Sequence, residues 1–516
     1  MIIDTLNKTS NRKNLVPFGV LWTLELWERF GYYGLQAILA VYFAKRLGYS
    51  DADAMLIFGS FSALLYGGPL IGGWIGDSYL GAKRTIFVGA GILATSYILL
   101  CLSFDHNFTN FFGTNEKDLV LYSLAGIAVG GGLFKPNPTS LISKMFEKGD
   151  PAQDGAMTLY YMAVNIGSFV SMIITPVVAV KYGYEYAFAC SAFGMVLGLI
   201  SYTVFYPKIA KLSTEAGLLK FSFTKILVVL LGSLVAIVIT ANILENTALC
   251  TAIVIIIALL ALGYFFVQMF RQAEHERKRM IVALILILQG ILFFVMYQQM
   301  PTSLNFFAIN NVDPSFLGFK VYGEQWQVLN PLVILLVSPI LSVFYKKVPG
   351  THVTKFCFGM SLCAIAFLIL YIPQFTTTTG LVSGWWLVAT YFFQSTGELL
   401  ISALGLSMVA ELFPRKMSGF ALGMWALTTM VAGPIGGFLG SLTAPPEGVV
   451  FTKAESIVVY GDVFLKLGIF VTVVAVIMWI ARGWLNSIIE STRIHIAAEG
   501  LHGIHEETSI LSNTEV

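Results

Sequence analysis

Fourteen runs of predominantly apolar residues recur along the chain, at about 15–44, 54–76, 84–103, 119–143, 155–180, 184–206, 222–243, 248–270, 280–309, 325–345, 353–372, 384–411, 417–442 and 459–481. In helical form, about 20 such residues match the hydrocarbon thickness of a bilayer, and no water-soluble core can bury so many. The chain is therefore read as an all-α polytopic membrane protein. Composition agrees: 57% of residues are apolar and 12% charged, against roughly 25% charged in a soluble domain. A net charge of +2 with no basic–aromatic cluster excludes a nucleic-acid partner. The first run is too long for a removable leader.

The cations orient the chain. Of 31 Lys and Arg, 22 fall in segments that alternate on the side of the N-terminus and 6 on the other, which places both termini in the cytoplasm. The even number of runs fits that alternation. We divide the chain into a cytoplasmic segment 1–14, a six-helix bundle 15–206, a linker 207–279 holding an accessory helix pair, a second six-helix bundle 280–481, and a polar, loosely ordered cytoplasmic tail 482–516. The stretch 271–279 reads as a helical connector outside the membrane. Two six-helix bundles are the arrangement of many secondary transporters. The five cysteines, Cys101, Cys190, Cys250, Cys357 and Cys363, sit in apolar runs without a CxxC pair and read as free thiols, so no metal is expected.

Three cations, Arg29, Lys135 and Lys466, lie inside runs. An ionised group at a helix centre costs roughly 2.5–3.5 kcal/mol on the insertion scale and is usually functional. The first run carries Glu25, Glu28, Arg29, Tyr32, Tyr33 and Gln36 along one helical face, with Glu25 and Arg29 as i,i+4 partners. Two acids and one base leave a carboxylate over, and Lys135 in the fourth run is the cation expected to meet it. Such a cluster serves either as a charge-neutral tie between helices or as a proton relay along a water-filled path. Glu398 in the twelfth run has no local cation; facing a cavity, it suits a substrate ammonium. With Arg29 and Lys135 across from it the site would be dipolar, which fits a zwitterion.

Other polar groups support a cavity: Tyr161, Asn165 and Ser168 on one stripe, then Gln298, Gln299, Thr302, Asn305, Asn330 and Ser402. Asn and Gln pair donor and acceptor with a peptide group, although Gln299 and Thr302 equally suit plain interhelical hydrogen bonds. Tyr66, Phe294 and Trp425 could shape side-chain pockets; Trp385 reads more naturally as an interfacial anchor. The glycines from Gly67 to Gly76 have the spacing of close helix packing. Gly130 to Gly132 lacks the GKS/T ending of a phosphate loop, so no nucleotide-driven pump is expected and no cofactor.

The stretch Glu25-x-x-Glu28-Arg29-Phe30-x-Tyr32-Tyr33-Gly34 resembles the first-helix signature of the proton-dependent oligopeptide transporter family, within the major facilitator superfamily. The segments around Tyr161, Asn165, Gly167 and Ser168, and around Glu398, are similar to further signatures of that family; Gly72 to Asp77 followed by Lys83-Arg84 resembles the superfamily's loop motif. The resemblance covers about 15–485 and includes the extra helix pair of bacterial members. It implies the major facilitator fold and proton-coupled import of di- and tripeptides at the bacterial inner membrane, by a monomer. It further implies that Glu25, Glu28, Arg29 and Lys135 couple the proton and, through Arg29 and Lys135, hold the peptide carboxylate. Glu398, with Asn165 and Asn330, would hold the amino terminus. Tyr32, Tyr33, Gln36, Tyr66, Tyr161, Phe294, Gln298, Ser402 and Trp425 would complete the binding site. Two positions depart from the family pattern: Gln36 and Gln298 stand where many relatives carry a base and an acid. The rival readings are a carrier for another solute, such as nitrate or a drug, and a non-transporting receptor or intramembrane enzyme; the latter has no HExxH or GxSxG motif to support it.

Overall fold

The computed structural model describes residues 12–147, 150, 152–218, 220–347 and 350–512. Residues 1–11 of the expected N-terminal segment, with Lys8, and also Lys148 and the last four residues of the tail, lie outside the described residues.

Fourteen long helices account for the fourteen apolar runs. They are α1 Arg12–Lys45, α2 Asp51–Tyr79, α3 Ala82–Leu102, α4 Glu116–Ser143, α5 Ala152–Tyr182, α6 Tyr184–Val204, α7 Phe223–Glu245, α8 Thr247–Phe270, α9 Glu274–Tyr297, α10 Gly323–Val343, α11 His352–Phe375, α12 Trp385–Leu412, α13 Ser418–Ser441 and α14 Lys453–Ser512. Thirteen of them, among the described residues, are long and apolar enough to cross a bilayer. The other is α1, whose 34 residues carry Glu25, Glu28 and Arg29 at the centre. Side-chain caps start many of the helices: Ser50, Asn115, Ser222, Asn246 and Thr351 each accept a backbone N–H of the first turn.

Three expectations change. The run 280–309 is not one helix: α9 ends at Tyr297 and a separate helix, Ser303–Asn311, follows, because Pro301 supplies no N–H to continue the ladder. The connector 271–279 is largely absorbed into α9, which begins at Glu274. Beyond 485 the chain continues α14, which runs as helix to Ser512.

In the first half α1 packs on α5 and α6, and α3 on α4 and α6; in the second, α11 packs on α12 and α14, and α9 on α13. The halves meet chiefly where α2 crosses α13, with α5 against α10. Small residues permit that crossing: a Cβ on Gly59 would stand 2.5 Å from the Gly433 carbonyl oxygen. Helices α7 and α8 sit outside, α7 on α4 and α8 on α13 and α2, with 17% of each apolar window buried, so their remaining surface is left to lipid. The connection after the helix Ser303–Asn311 carries a small hairpin, β1 Ser315–Phe316 and β2 Phe319–Lys320, turned by Leu317 and Gly318, both at positive φ.

Candidate substrate and proton site

The run Gly67 to Gly76 positions the fourth-helix cation. Glycine at 72 lets α2 touch α4 backbone to backbone, since a Cβ there would lie 2.0 Å from the Gly132 carbonyl oxygen. Just beyond, the hydrogen-bond ladder of α4 is interrupted at Lys135, between the helical stretches Glu116–Phe134 and Pro136–Ser143, because Pro136 and Pro138 cannot donate into it. The Lys135 ammonium is buried between two aromatic faces, 4.7 Å from the Tyr32 ring centroid and 4.6 Å from that of Tyr66. Its Nζ makes no hydrogen bond and no ion pair among the described residues.

The expected pairing of Lys135 with the surplus carboxylate is therefore not made. Arg29 meets both acids instead: its Nε lies 2.7 Å from Glu25 Oε1, in a hydrogen bond, and 2.8 Å from Glu28 Oε2, without hydrogen-bond alignment. All three side chains are buried. The hydroxyl of Tyr160 donates to the other oxygen of Glu25, a contact with α5 that tethers this acid across helices. Arg29 also stands 5.9 Å from the Tyr32 ring. The i,i+4 pair read from the sequence is thus formed, while the interhelical one is replaced by cation–π contacts, which stabilise a desolvated ammonium without discharging it.

In front of the Tyr32 and Tyr66 rings lies a cavity of about 220 Å³ between the halves. The first half lines it with Tyr32, Tyr33, Gln36, Ser62, Tyr66, Tyr161, Val164, Asn165 and Ser168, the second with Phe294, Tyr297, Gln298, Asn330, Ile334, Glu398, Ser402, Trp425 and Thr429. Every expected binding residue is on this wall except Arg29 and Lys135, which lie behind the tyrosine rings. Glu398 Oε2 accepts a 2.7 Å hydrogen bond from Asn330 Nδ2, which also donates to Ser395 Oγ at 3.0 Å, so the acid is held in one orientation. Its Oε1 makes no hydrogen bond among the described residues. Trp425 is fixed edge-on between Phe294 and Phe356, with centroids 6.0 and 6.2 Å apart, against the bare backbone of Gly405.

Several lining residues escaped the sequence reading. Thr429 lies one turn beyond Trp425, so helical spacing could have found it. Tyr297 faces the cavity beside Gln298 because α9 ends there, a break that periodicity does not reveal. Conversely, Gln299 and Thr302 are structural: Gln299 Nε2 donates to the Val295 and Gly436 carbonyls at 3.1 and 3.0 Å, and Thr302 Oγ1 to Gln298 O at 2.5 Å. Asn165 Nδ2 donates to Tyr161 O at 2.9 Å, along its own helix. Trp385 is exposed, edge-on to Phe316, away from the cavity.

Uncharged donors join the halves on one side of the cavity. Asn305 Nδ2 and Gln327 Nε2 both donate to the Ala37 carbonyl, at 2.9 and 3.0 Å, Gln325 Nε2 donates to Ile173 O at 3.1 Å, and Gln298 donates to Ser62 Oγ. The first three lie toward the end of the molecule opposite the loop with Lys83 and Arg84.

A second, larger cavity of about 820 Å³ lies between the accessory pair and the bundles, but its lining is almost wholly apolar. The charged cavity is the one equipped to select a small polar solute.

Residues 83–457 match the model of the POT family. The chain belongs to the POT family. It is 44% identical over 485 residues to the dipeptide and tripeptide permease A of Escherichia coli strain K12, covering 93% of this chain and 95% of that one. With the dipeptide and tripeptide permease B of Aliivibrio fischeri it shares 42% identity over 94% and 98% of the two chains. A tetrameric crystal structure of PepTSo2 superposes with a TM-score of 0.81 at 33% identity, over 92% of this chain and 99% of that one. A structure solved to explain substrate recognition in proton-dependent oligopeptide transporters gives 0.80 at 34%, with the same coverage. This POT protein is thus a polytopic peptide transporter of the major facilitator fold and not an enzyme.

Proposed function

We propose that this POT protein is a symporter that imports di- and tripeptides together with protons across the bacterial cytoplasmic membrane, by alternating access, with both termini inside. The observation that carries the reading is the buried Lys135 ammonium, held without a hydrogen-bond or ion-pair partner among the described residues behind the rings of Tyr32 and Tyr66, which share the cavity wall with Glu398. A cation on the first half and an acid on the second complement a zwitterion. In this reading Arg29 and Lys135 take the peptide carboxylate, Glu398 takes the amino terminus, and Asn165, Asn330 and Gln298 meet the backbone amides. The tyrosines and Trp425 bound the side chains.

Coupling follows from the acid pair. While Glu25 and Glu28 are both ionised they hold Arg29; a proton on either weakens that hold and frees the guanidinium for the peptide. Tyr160, bonded to Glu25, would link this step to α5, which also carries Tyr161 and Asn165. The bonds to Ala37 and Ile173 support a state closed on the outer side. One proton moving down a 100 mV potential supplies about 2.3 kcal/mol, enough for roughly fifty-fold accumulation of a neutral zwitterion. An anion carrier would gain nothing from Glu398 in the cavity, which argues against a nitrate-type substrate.

The test is uptake of radiolabelled dialanine by proteoliposomes. With an inward proton gradient the peptide accumulates above equilibrium, and dissipating the gradient reduces the process to exchange. Accumulation that ignores the gradient would refute the coupling, and failure of any dipeptide to compete would refute the substrate class.

A further inference from the structure

The 820 Å³ cavity is a slot whose floor is α2 against α4 and whose outer walls are α7 and α8. Gly232 keeps it open, since a Cβ there would meet no atom within 4 Å, and Gly67 and Gly132 also line it. Val229, Val254 and Met430 make the remaining surface apolar. Along α7 the lining runs from Val228 to Thr240, roughly 18 Å at 1.5 Å per residue. That is about the depth of one leaflet of a ~30 Å hydrocarbon core, and the volume exceeds anything one side chain could fill. The slot opens toward lipid, since Ile71 and Trp74 on its rim are 65% and 61% exposed.

One end of the slot is cationic. Lys225, one turn before Val228, donates to the Tyr79 carbonyl at 3.2 Å and stands 5.1 Å from the Tyr79 ring, which itself lines the cavity. An ammonium has three donors, so two remain. Lys83 and Arg84 open the next helix, at the same end of the molecule, the end that the cation count places in the cytoplasm. An apolar slot one leaflet deep with a lysine at its interfacial end complements an acyl chain joined to a phosphate.

We propose that the slot is a binding site for an anionic phospholipid of the inner leaflet, one acyl chain lying between α7, α8 and the bundles and the headgroup phosphate at Lys225. The chain would touch both halves, because Gly132 belongs to the first and Met430 to the second. This gives the accessory pair a role separate from the peptide cavity: it encloses a lipid against the seam across which the halves rock.

The test is native mass spectrometry of the full chain released from nanodiscs of phosphatidylglycerol or of phosphatidylcholine. Wild type is expected to retain one phosphatidylglycerol at activation energies that strip phosphatidylcholine. Gly232→Leu, which fills the slot, lowers that occupancy about tenfold, and Ala236→Phe on the same wall does likewise. Lys225→Ala keeps an adduct but loses the preference for the anionic lipid. Dialanine counterflow in each variant verifies folding independently, since none of the three residues lines the peptide cavity. Retention by Gly232→Leu and Ala236→Phe equal to wild type would overturn the site. Equal retention of the two lipids by wild type would overturn the headgroup assignment.

Discussion

Replacing Glu398 by Gln changes one charge and almost no volume. The present carboxylate uses Oε2 to accept from Asn330 at 2.7 Å and leaves Oε1 for the cavity. A glutamine can keep the first bond with its amide oxygen, so the fold loses little, and one half-buried charge is removed. What changes is the bond to the peptide ammonium. The ammonium still donates to the glutamine amide oxygen, so only the charge–charge part of the pairing is lost, worth roughly 1–2 kcal/mol. At 1.36 kcal/mol per decade, the concentration of dialanine needed to compete for uptake rises about five- to thirty-fold. The N-acetylated dipeptide has no ammonium to lose, so its weaker competition stays constant within about two-fold. The assay is inhibition of radiolabelled dialanine counterflow in proteoliposomes, without a proton gradient, so that coupling does not enter. An equal shift for both ligands would refute the ammonium role, since it would mean that Glu398 acts only by shaping the wall. Asn330→Ala serves as the companion: freed from its donor, the acid loses orientation, and the same ligand-dependent shift follows at smaller size.

Glu25→Gln leaves Arg29 with Glu28 alone and should abolish gradient-driven accumulation while sparing counterflow; uphill uptake by this variant in an imposed pH gradient would contradict the coupling assignment. Lys135→Ala should weaken competition by dipeptides with a free carboxylate, whereas dipeptide amides lacking it are affected less, as measured by the same competition; an equal loss for both would refute the carboxylate role. Gly72→Leu forces a side chain into the Gly132 backbone, where even a Cβ would stand 2.0 Å away, and should cost several kcal/mol or prevent folding, visible as a lowered melting temperature in detergent. Asn305→Leu removes one of two donors to the Ala37 carbonyl, about 1 kcal/mol, and should shift the population toward outer opening by several-fold, read as a longer interspin distance between labels on α1 and the helix Ser303–Asn311. An unchanged distance distribution would show that bond to be incidental.

Much of the site was legible because charge is so costly in a membrane. Glu25, Glu28, Arg29, Lys135 and Glu398 stand out against a chain with 12% charged residues, and helical spacing alone brings Glu25 to Arg29. Spacing within a helix is local and therefore readable. The relation of Lys135 to that face is not local: it depends on how α2 and α4 meet at their glycines, and the ammonium ends against the rings of Tyr32 and Tyr66 without an ion pair to the carboxylates among the described residues. Gln298 illustrates the same limit. Its lack of charge was evident, but its bond to Ser62 on the other half depends on how the halves close.

The length and apolarity of the runs, the cation alternation and the charged face of α1 follow from the sequence by itself, because bilayer thickness and ion solvation act on each helix separately. Tertiary structure decided the rest: the break between α9 and the helix Ser303–Asn311, the meeting of Tyr32 and Tyr66 over Lys135, the neutral bonds onto Ala37, and the slot beneath the accessory pair. Each of these depends on which backbones come near enough to touch. That is set by small residues on two helices at once, and no single run of sequence encodes it.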